Sequence, residues 1–261
     1  MTHPPATRAL LASALSVTAL LAGTGCTAED EPRPRWFSAS ASASGASPAV
    51  EQPSGSGAAL TEAQAQAALV TAADLGEPWG PTRGARTWRD GLLKATTEDR
   101  DCQRLLDVLY TEEPFGAPKG PQATSALDDG DTDAQLRYRV AAHPPADVDR
   151  ALDWMKSLPG RCGEFTAATT RGGIQGVEVR ELPLPPVGDA RQGLRVMLAG
   201  ETEEGELTYL TMDLAAVRVG EEAISLTNAG LDEVYAEVTR QAVQLGAQRL
   251  AEIRKQGRAQ I

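Results

Sequence analysis

The residues of this 261-residue chain with the strongest claim on chemistry are few: three cysteines, two histidines, one run of alternating aspartates and paired carboxylates such as Glu203-Glu204 and Glu221-Glu222. His3 lies at the extreme N-terminus, so His143 is the imidazole available to a folded domain. No G-x-S-x-G elbow supplies a nucleophile for it, and its place before Pro144 reads as a turn histidine between a strand and a helix. H-E-x-x-H, the P-loop and G-x-G-x-x-G are absent. In LDDGDTDAQL, Asp129, Asp131 and Asp133 alternate as the start of a calcium loop does, but Ala134 and Val140 stand where that loop needs Gly and Glu. An acidic hairpin turn between two strands is the better account. Glu203-Glu204 and Glu221-Glu222 read as solvated turn residues, because adjacency does not supply the separation across a cleft that a glycosidase needs. The sequence assigns no catalytic residue, no metal ligand and no cofactor. The expectation is a non-enzymatic protein.

The cysteines divide by position. Arg8 precedes a small and apolar run, Ala9 to Ala22, too short to span a bilayer and shaped like an export signal. The run ends LLAGTGC. Thr24-Gly25-Cys26 resembles the lipobox of bacterial lipoproteins, with Gly23 departing from the usual Leu, Val or Ile. The resemblance implies a lipid on the Cys26 sulfur and cleavage just before it. Residues 1–25 are therefore expected to be a lipoprotein signal peptide, and Cys26 a membrane anchor on the outer face of the cell. Cys102 and Cys162 remain, and an oxidising compartment favours a disulfide between such a pair. A metal site is the weaker alternative, since two isolated cysteines lack the further ligands zinc needs.

Residues 26–59 are rich in Ser, Ala, Gly and Pro and have almost nothing to bury. They are expected to form a disordered tether reaching roughly 30 Å, interrupted only by Trp36. Residues 60–261 are the size of one domain. The chain is 41% hydrophobic but only 4% aromatic, and its formal net charge is −11. That balance excludes nucleic acid as an expected partner, because phosphate binding needs a positive footprint.

The elements that would position any site follow from periodicity. Thr61 to Gln64 is a capping box and predicts a helix through TEAQAQAALVTAADL. Cys102, Leu105, Leu106 and Leu109 share one face of a helix from Glu98 to Tyr110. Val148, Ala151, Leu152 and Met155 share the inner face of another, which Pro159-Gly160 is expected to end. QLRYRVA alternates as a strand, and GIQGVEVREL is expected to bury Ile174, Val177 and Val179. GLRVMLAGE, LTYLTMDLAAVRVG and EEAISLTNA follow, the last two joined by a tight hairpin at Gly220-Glu221. A closing helix is expected from Leu231 to about Gln256, with Leu231, Val234, Tyr235, Val238, Ala242 and Leu245 facing the core. The pattern is α+β: an antiparallel β-sheet flanked by helices.

The order LTEAQAQAALVTAADLGEPW, CQRLLDVL, LPGRCGEFT, DLAAVRVGEEAISLT and a C-terminal helix resembles the actinobacterial sensor-domain family typified by the extracellular domain of the kinase PknH and by related lipoproteins. The resemblance covers most of residues 60–255. It implies an antiparallel sheet with a cleft for an unidentified small-molecule or envelope ligand, and it implies that Cys102 pairs with Cys162. Kinase members carry two disulfides; this chain has cysteines for one. No catalytic residues come with the family, and no kinase domain is read in the chain. The functional expectation is a surface-anchored lipoprotein with a sensor-like, ligand-binding domain, partnered by the membrane through its anchor. An exported hydrolase with an unrecognised site, or a carrier of an apolar molecule, is the alternative.

Overall fold

Leu136, Tyr138 and Val140 alternate with Arg137 and Arg139, and in the computed structural model, which describes residues 60–86, 88–201, 205–231 and 233–259, the three apolar side chains are buried on one side of a strand. The expected signal peptide, Cys26, the tether 26–59 with Trp36, and Glu203-Glu204 lie outside the described residues. The same alternation builds β1 (Trp79–Pro81), β2 (Ala95–Thr96), β3 (Gln122–Asp129), β4 (Gln135–Ala142), β5 (Glu164–Thr169), β6 (Ile174–Glu181), β7 (Ala190–Glu201), β8 (Leu207–Val219) and β9 (Glu222–Leu231). They form one sheet in the order β1-β3-β4-β9-β8-β7-β6-β5-β2. Every pairing is antiparallel. The β8–β9 hairpin turns at Gly220-Glu221 as expected, with Val219 opposite Glu222 and Gly220 at φ 67°. A glycine at the first loop position suits a two-residue hairpin.

Helices cover both faces, but over different halves. α3 (Arg100–Thr111) and α4 (Pro145–Arg161) enclose one core with Val177, Val179, Val196, Leu198, Leu210 and Met212 of β6–β8. α1 (Glu62–Ala67), α2 (Ala72–Leu75) and α5 (Ala236–Ala259) lie over the opposite face. There Leu136, Tyr138, Val140, Val217, Ile224 and Leu226 pack with Ala242, Val243 and Leu250. The fold is α+β, an antiparallel sheet flanked by helices.

Four local expectations are corrected. The helix expected through Leu75 breaks after Ala67, because the carbonyls of Leu69 and Val70 are taken by Arg249 and by Ser125 Oγ. Thr71 then starts α2 by donating its N–H to Asp74 at 2.8 Å. α4 runs through Pro159-Gly160 to Arg161, its end held by the Cys162 N–H donating to Leu158 O at 2.7 Å. Ile174 is 66% exposed. It sits one residue out of phase with Val177 and Val179, so the pleat sends it to the other side and buries Gln175 instead. Finally, Leu231 is not helical: it continues β9 opposite Leu210, and α5 starts at Ala236, after an exposed Tyr235. The inner stripe of α5 is Thr239, Ala242, Val243, Ala247 and Leu250.

Candidate functional site

A cleft of about 580 Å3 opens where the β5–β6 hairpin turns, beside β7, β8 and the end of β9. That volume is within the range of small-molecule pockets. One wall is Trp88 and Leu92, which belong to a π-helical turn, Arg89–Leu93, and its leading residue. Such turns are rare and recur at functional sites. The opposite wall is Thr169, Arg171, Gly172, Gly173, Ile174 and Gln175.

The π-helical turn is held by groups far away in sequence. Gln175 Nε2 donates to the Leu92 carbonyl at 2.9 Å, and Thr170 N–H donates to the Lys94 carbonyl at 3.0 Å. Arg89 donates to Glu112 Oε1 at 2.6 Å and to the Tyr110 carbonyl at 2.8 Å. The same Glu112 oxygen accepts from Thr227 Oγ1 of β9 at 3.1 Å, so one carboxylate ties the turn, the end of α3 and the sheet together. Glu112 adopts a left-handed conformation, φ 60°, unfavourable for a residue with a Cβ. Its three-way attachment stabilises that geometry. Beside it, Lys94 and Tyr110 both engage Asp90; the Lys94 contact foremost holds that carboxyl below its ordinary value.

Two polar groups in the cleft wall are buried without partners: the Trp88 Nε1–H donor and the Gln175 Oε1 acceptor. Gln175 is 1% exposed. Buried polar atoms are normally paired, and leaving one unpaired costs about 1–3 kcal/mol. Four further buried polar atoms among the described residues, on Arg86, Tyr138, Trp154 and Asn228, are likewise unpaired.

The residues singled out by sequence lie elsewhere. Cys102 of α3 and Cys162 at the end of α4 form a disulfide, with Cα atoms 5.6 Å apart, inside the core beneath α4. Asp99 is close to both sulfurs but accepts from the Asp101 and Cys102 N–H groups as the helix cap. Sulfurs bonded to each other are not the thiolates a metal requires. His143 is buried against Phe115, ring centroids 5.4 Å apart, and does not line the cleft; burial pushes its imidazole below its ordinary value. The aspartate run is the β3–β4 turn: Asp129 Oδ1 accepts from Asp131 and Thr132 N–H groups, and Asp133 accepts from Leu231 N–H. Glu222 contradicts its reading as a solvated residue. It is 1% exposed as the first residue of β9 and paired with Arg254, and burial pushes its carboxyl up. It enters the core because the tight hairpin leaves only Gly220-Glu221 in the turn.

Sequence reading missed Trp88, Gln175 and Arg171. The available signals were a lone tryptophan before a glycine-containing turn, WRDGLL, and the TRGG hairpin.

Among the described residues no helix is long and apolar enough to cross a membrane. No protein-family model matches the chain, and no curated protein matches it. Among solved structures, the chain is similar to the extracellular domain of PknH from Mycobacterium tuberculosis, with a TM-score of 0.45 and 18% identity over 75% of this chain and 97% of that one. It is also similar to an uncharacterized protein from Rhizobium leguminosarum, with a TM-score of 0.26 and 12% identity over 52% of this chain and 98% of that one.

Proposed function

We propose that the chain is an exported, lipid-anchored protein whose α+β domain binds a small molecule or envelope component in the cleft, as a sensor domain does, without converting it. The observation that carries this reading is the cleft wall: a cavity of about 580 Å3 beside a π-helical turn, with an unpaired buried donor on Trp88 and an unpaired buried acceptor on Gln175. The Gly25-Cys26 ending supports the anchor, and the lack of a positive footprint at net charge −11 speaks against nucleic acid.

Native mass spectrometry of the full chain purified from its own cell envelope tests the binding. A retained molecule, lost on Gln175→Leu and recovered unchanged after prolonged incubation with catalytic amounts of protein, is the expected result. Conversion over many turnovers overturns the reading in favour of a hydrolase. Cys26→Ser is expected to move the protein from membrane to medium; identical partitioning of variant and wild type would remove the anchor.

A further inference from the structure

A second cavity, of about 520 Å3, is lined by Ala85, Arg86, Arg89, Asp90, Tyr110 and Arg171. Arg171 lines both cavities, and between them runs the π-helical turn. Three guanidinium groups around one cavity invert the sign of a chain whose net charge is −11. Arg89 is neutralised by Glu112, and Asp90 by Lys94 at 3.2 Å. The other two arginines are compensated less closely. Arg86 approaches Asp128 only at 3.9 Å, and its Nε is buried with no partner. Arg171 is exposed at the hairpin tip and makes no ion pair or hydrogen bond among the described residues. The first cavity supplies the contrasting chemistry, apolar surface from Trp88, Leu92, Ile174 and Leu231.

Resting on the binding reading above, we infer that the two cavities form one bipartite site for an anionic amphiphile. Its acidic head, a carboxylate, sulfate or phosphate, is held by Arg171 and Arg86. Its apolar body lies along Trp88, Leu92, Ile174 and Leu231. Guanidinium suits such a head because its fixed N–H groups meet two oxygens at once. The exposed Ile174 gains burial only when something apolar covers it.

The probe is dodecanoate below its micelle-forming concentration, titrated calorimetrically into the full chain at neutral pH. Dodecan-1-ol and dodecyltrimethylammonium serve as uncharged and cationic counterparts. Dodecanoate is expected to bind once per chain and to shift the amide resonances of Leu92, Gly172 and Gly173. Arg171→Gln is expected to weaken it about tenfold or more, the loss of one charge-assisted contact, and Arg171→Lys to restore part of that. Arg86→Gln is expected to act in the same direction. Affinity unchanged in both glutamine variants overturns the inference. Equal binding of dodecan-1-ol at the same amides also overturns it but leaves the cleft as a binding site. No shift with any probe overturns it too, while the binding reading falls only if native mass spectrometry finds no retained molecule. Arg171-dependent sedimentation with phosphatidylglycerol vesicles, and not with phosphatidylcholine vesicles, supports a lipid headgroup as the source of the anion. Saturable dodecanoate binding without such sedimentation supports a free amphiphile.

Discussion

The two halves of the sheet are covered in opposite ways. Over β3, β4, β9 and β8, the long helix α5 is fastened by buried and half-buried ion pairs and hydrogen bonds. Asp213, fully buried, accepts two hydrogen bonds from Arg195, at 2.7 and 3.0 Å, and one from Thr239 Oγ1 at 2.7 Å. Arg254 meets Glu222, and Arg249 reaches across to Asp74 at 2.7 Å. Over β5–β8, α4 is fastened mainly by apolar packing and by the Cys102–Cys162 disulfide, with one ion pair, Arg218 to Asp149 at 2.7 Å. At the open end of that half, the wall of the cleft keeps unpaired groups on Trp88 and Gln175. Unpaired buried atoms occur in both halves, on Tyr138 and Asn228 under α5 and on Trp88, Trp154 and Gln175 in the other, so what separates the halves is ion pairing against a covalent bridge. The difference lets substitutions address the two halves one at a time.

The largest effect is expected from Cys102→Ala/Cys162→Ala. The bridge closes a loop of 60 residues, worth about 4 kcal/mol in the chain-entropy model, with measured values often lower. Chemical denaturation gives the total. Hydrogen exchange locates it: α3 and α4 should lose protection while α5 keeps most of its own. Uniform loss across both halves would merge them into one cooperative unit.

Next is Gly246→Ala. A Cβ there would lie 1.8 Å from the hydroxyl of Tyr138, which is completely buried and has no room to retreat. A loss of about 3 kcal/mol is expected, the upper end of ordinary overpacking. Dodecanoate affinity at the cleft should be unchanged in whatever fraction remains folded. A parallel loss of affinity would show the halves coupled.

Arg254→Met should cost less, about 2 kcal/mol, below the usual penalty for stranding a buried charge. Glu222 is already pushed toward its neutral form by burial, so protonation relieves part of the loss. A raised carboxyl pKa means stability falls as pH rises through the ordinary glutamate range, and the variant should accentuate that fall. A pH-independent difference between variant and wild type would contradict it.

The smallest effect concerns Asp74, whose carboxyl is lowered from 3.8 to about 2, chiefly by the Arg249 hydrogen bonds. A depressed carboxyl pKa contributes stability that is complete above the unfolded value and disappears as pH falls toward the folded one. Arg249→Met should therefore cost about 1 kcal/mol at neutral pH, a value suited to a partly exposed pair. The difference should vanish between roughly pH 4 and pH 2. Denaturant titrations across that interval decide it.

The sheet was legible in the sequence because β-strand alternation is a strong local signal, as in Leu136, Tyr138 and Val140. The cysteine pair was legible because Cys102 shares a helical face with buried leucines. The cleft was not legible, for physical reasons. Residues 89–93 form a π-helical turn, which has no periodic hydrophobic signature at five residues' length. Gln175 is buried by register alone. Reading Ile174 as the inward residue reverses the two, and a slip of one residue exchanges the faces of a strand. Glu222 was misjudged because a carboxylate beside a turn resembles every solvated one until Arg254, 32 residues later, is brought against it.

The order of the sheet carries a last consequence. Its two outermost members are its shortest, β1 with three residues and β2 with two, and β1 ends in Pro81, which has no N–H to offer. Long unpaired edges are templates on which a second chain can add a strand, and brevity and proline are how natural sheets deny them. Among the described residues the two outermost strands thus offer a second chain almost no length to add to, and the margin on which copies could grow into fibres is confined to the stretches of β3 and β5 that they leave uncovered.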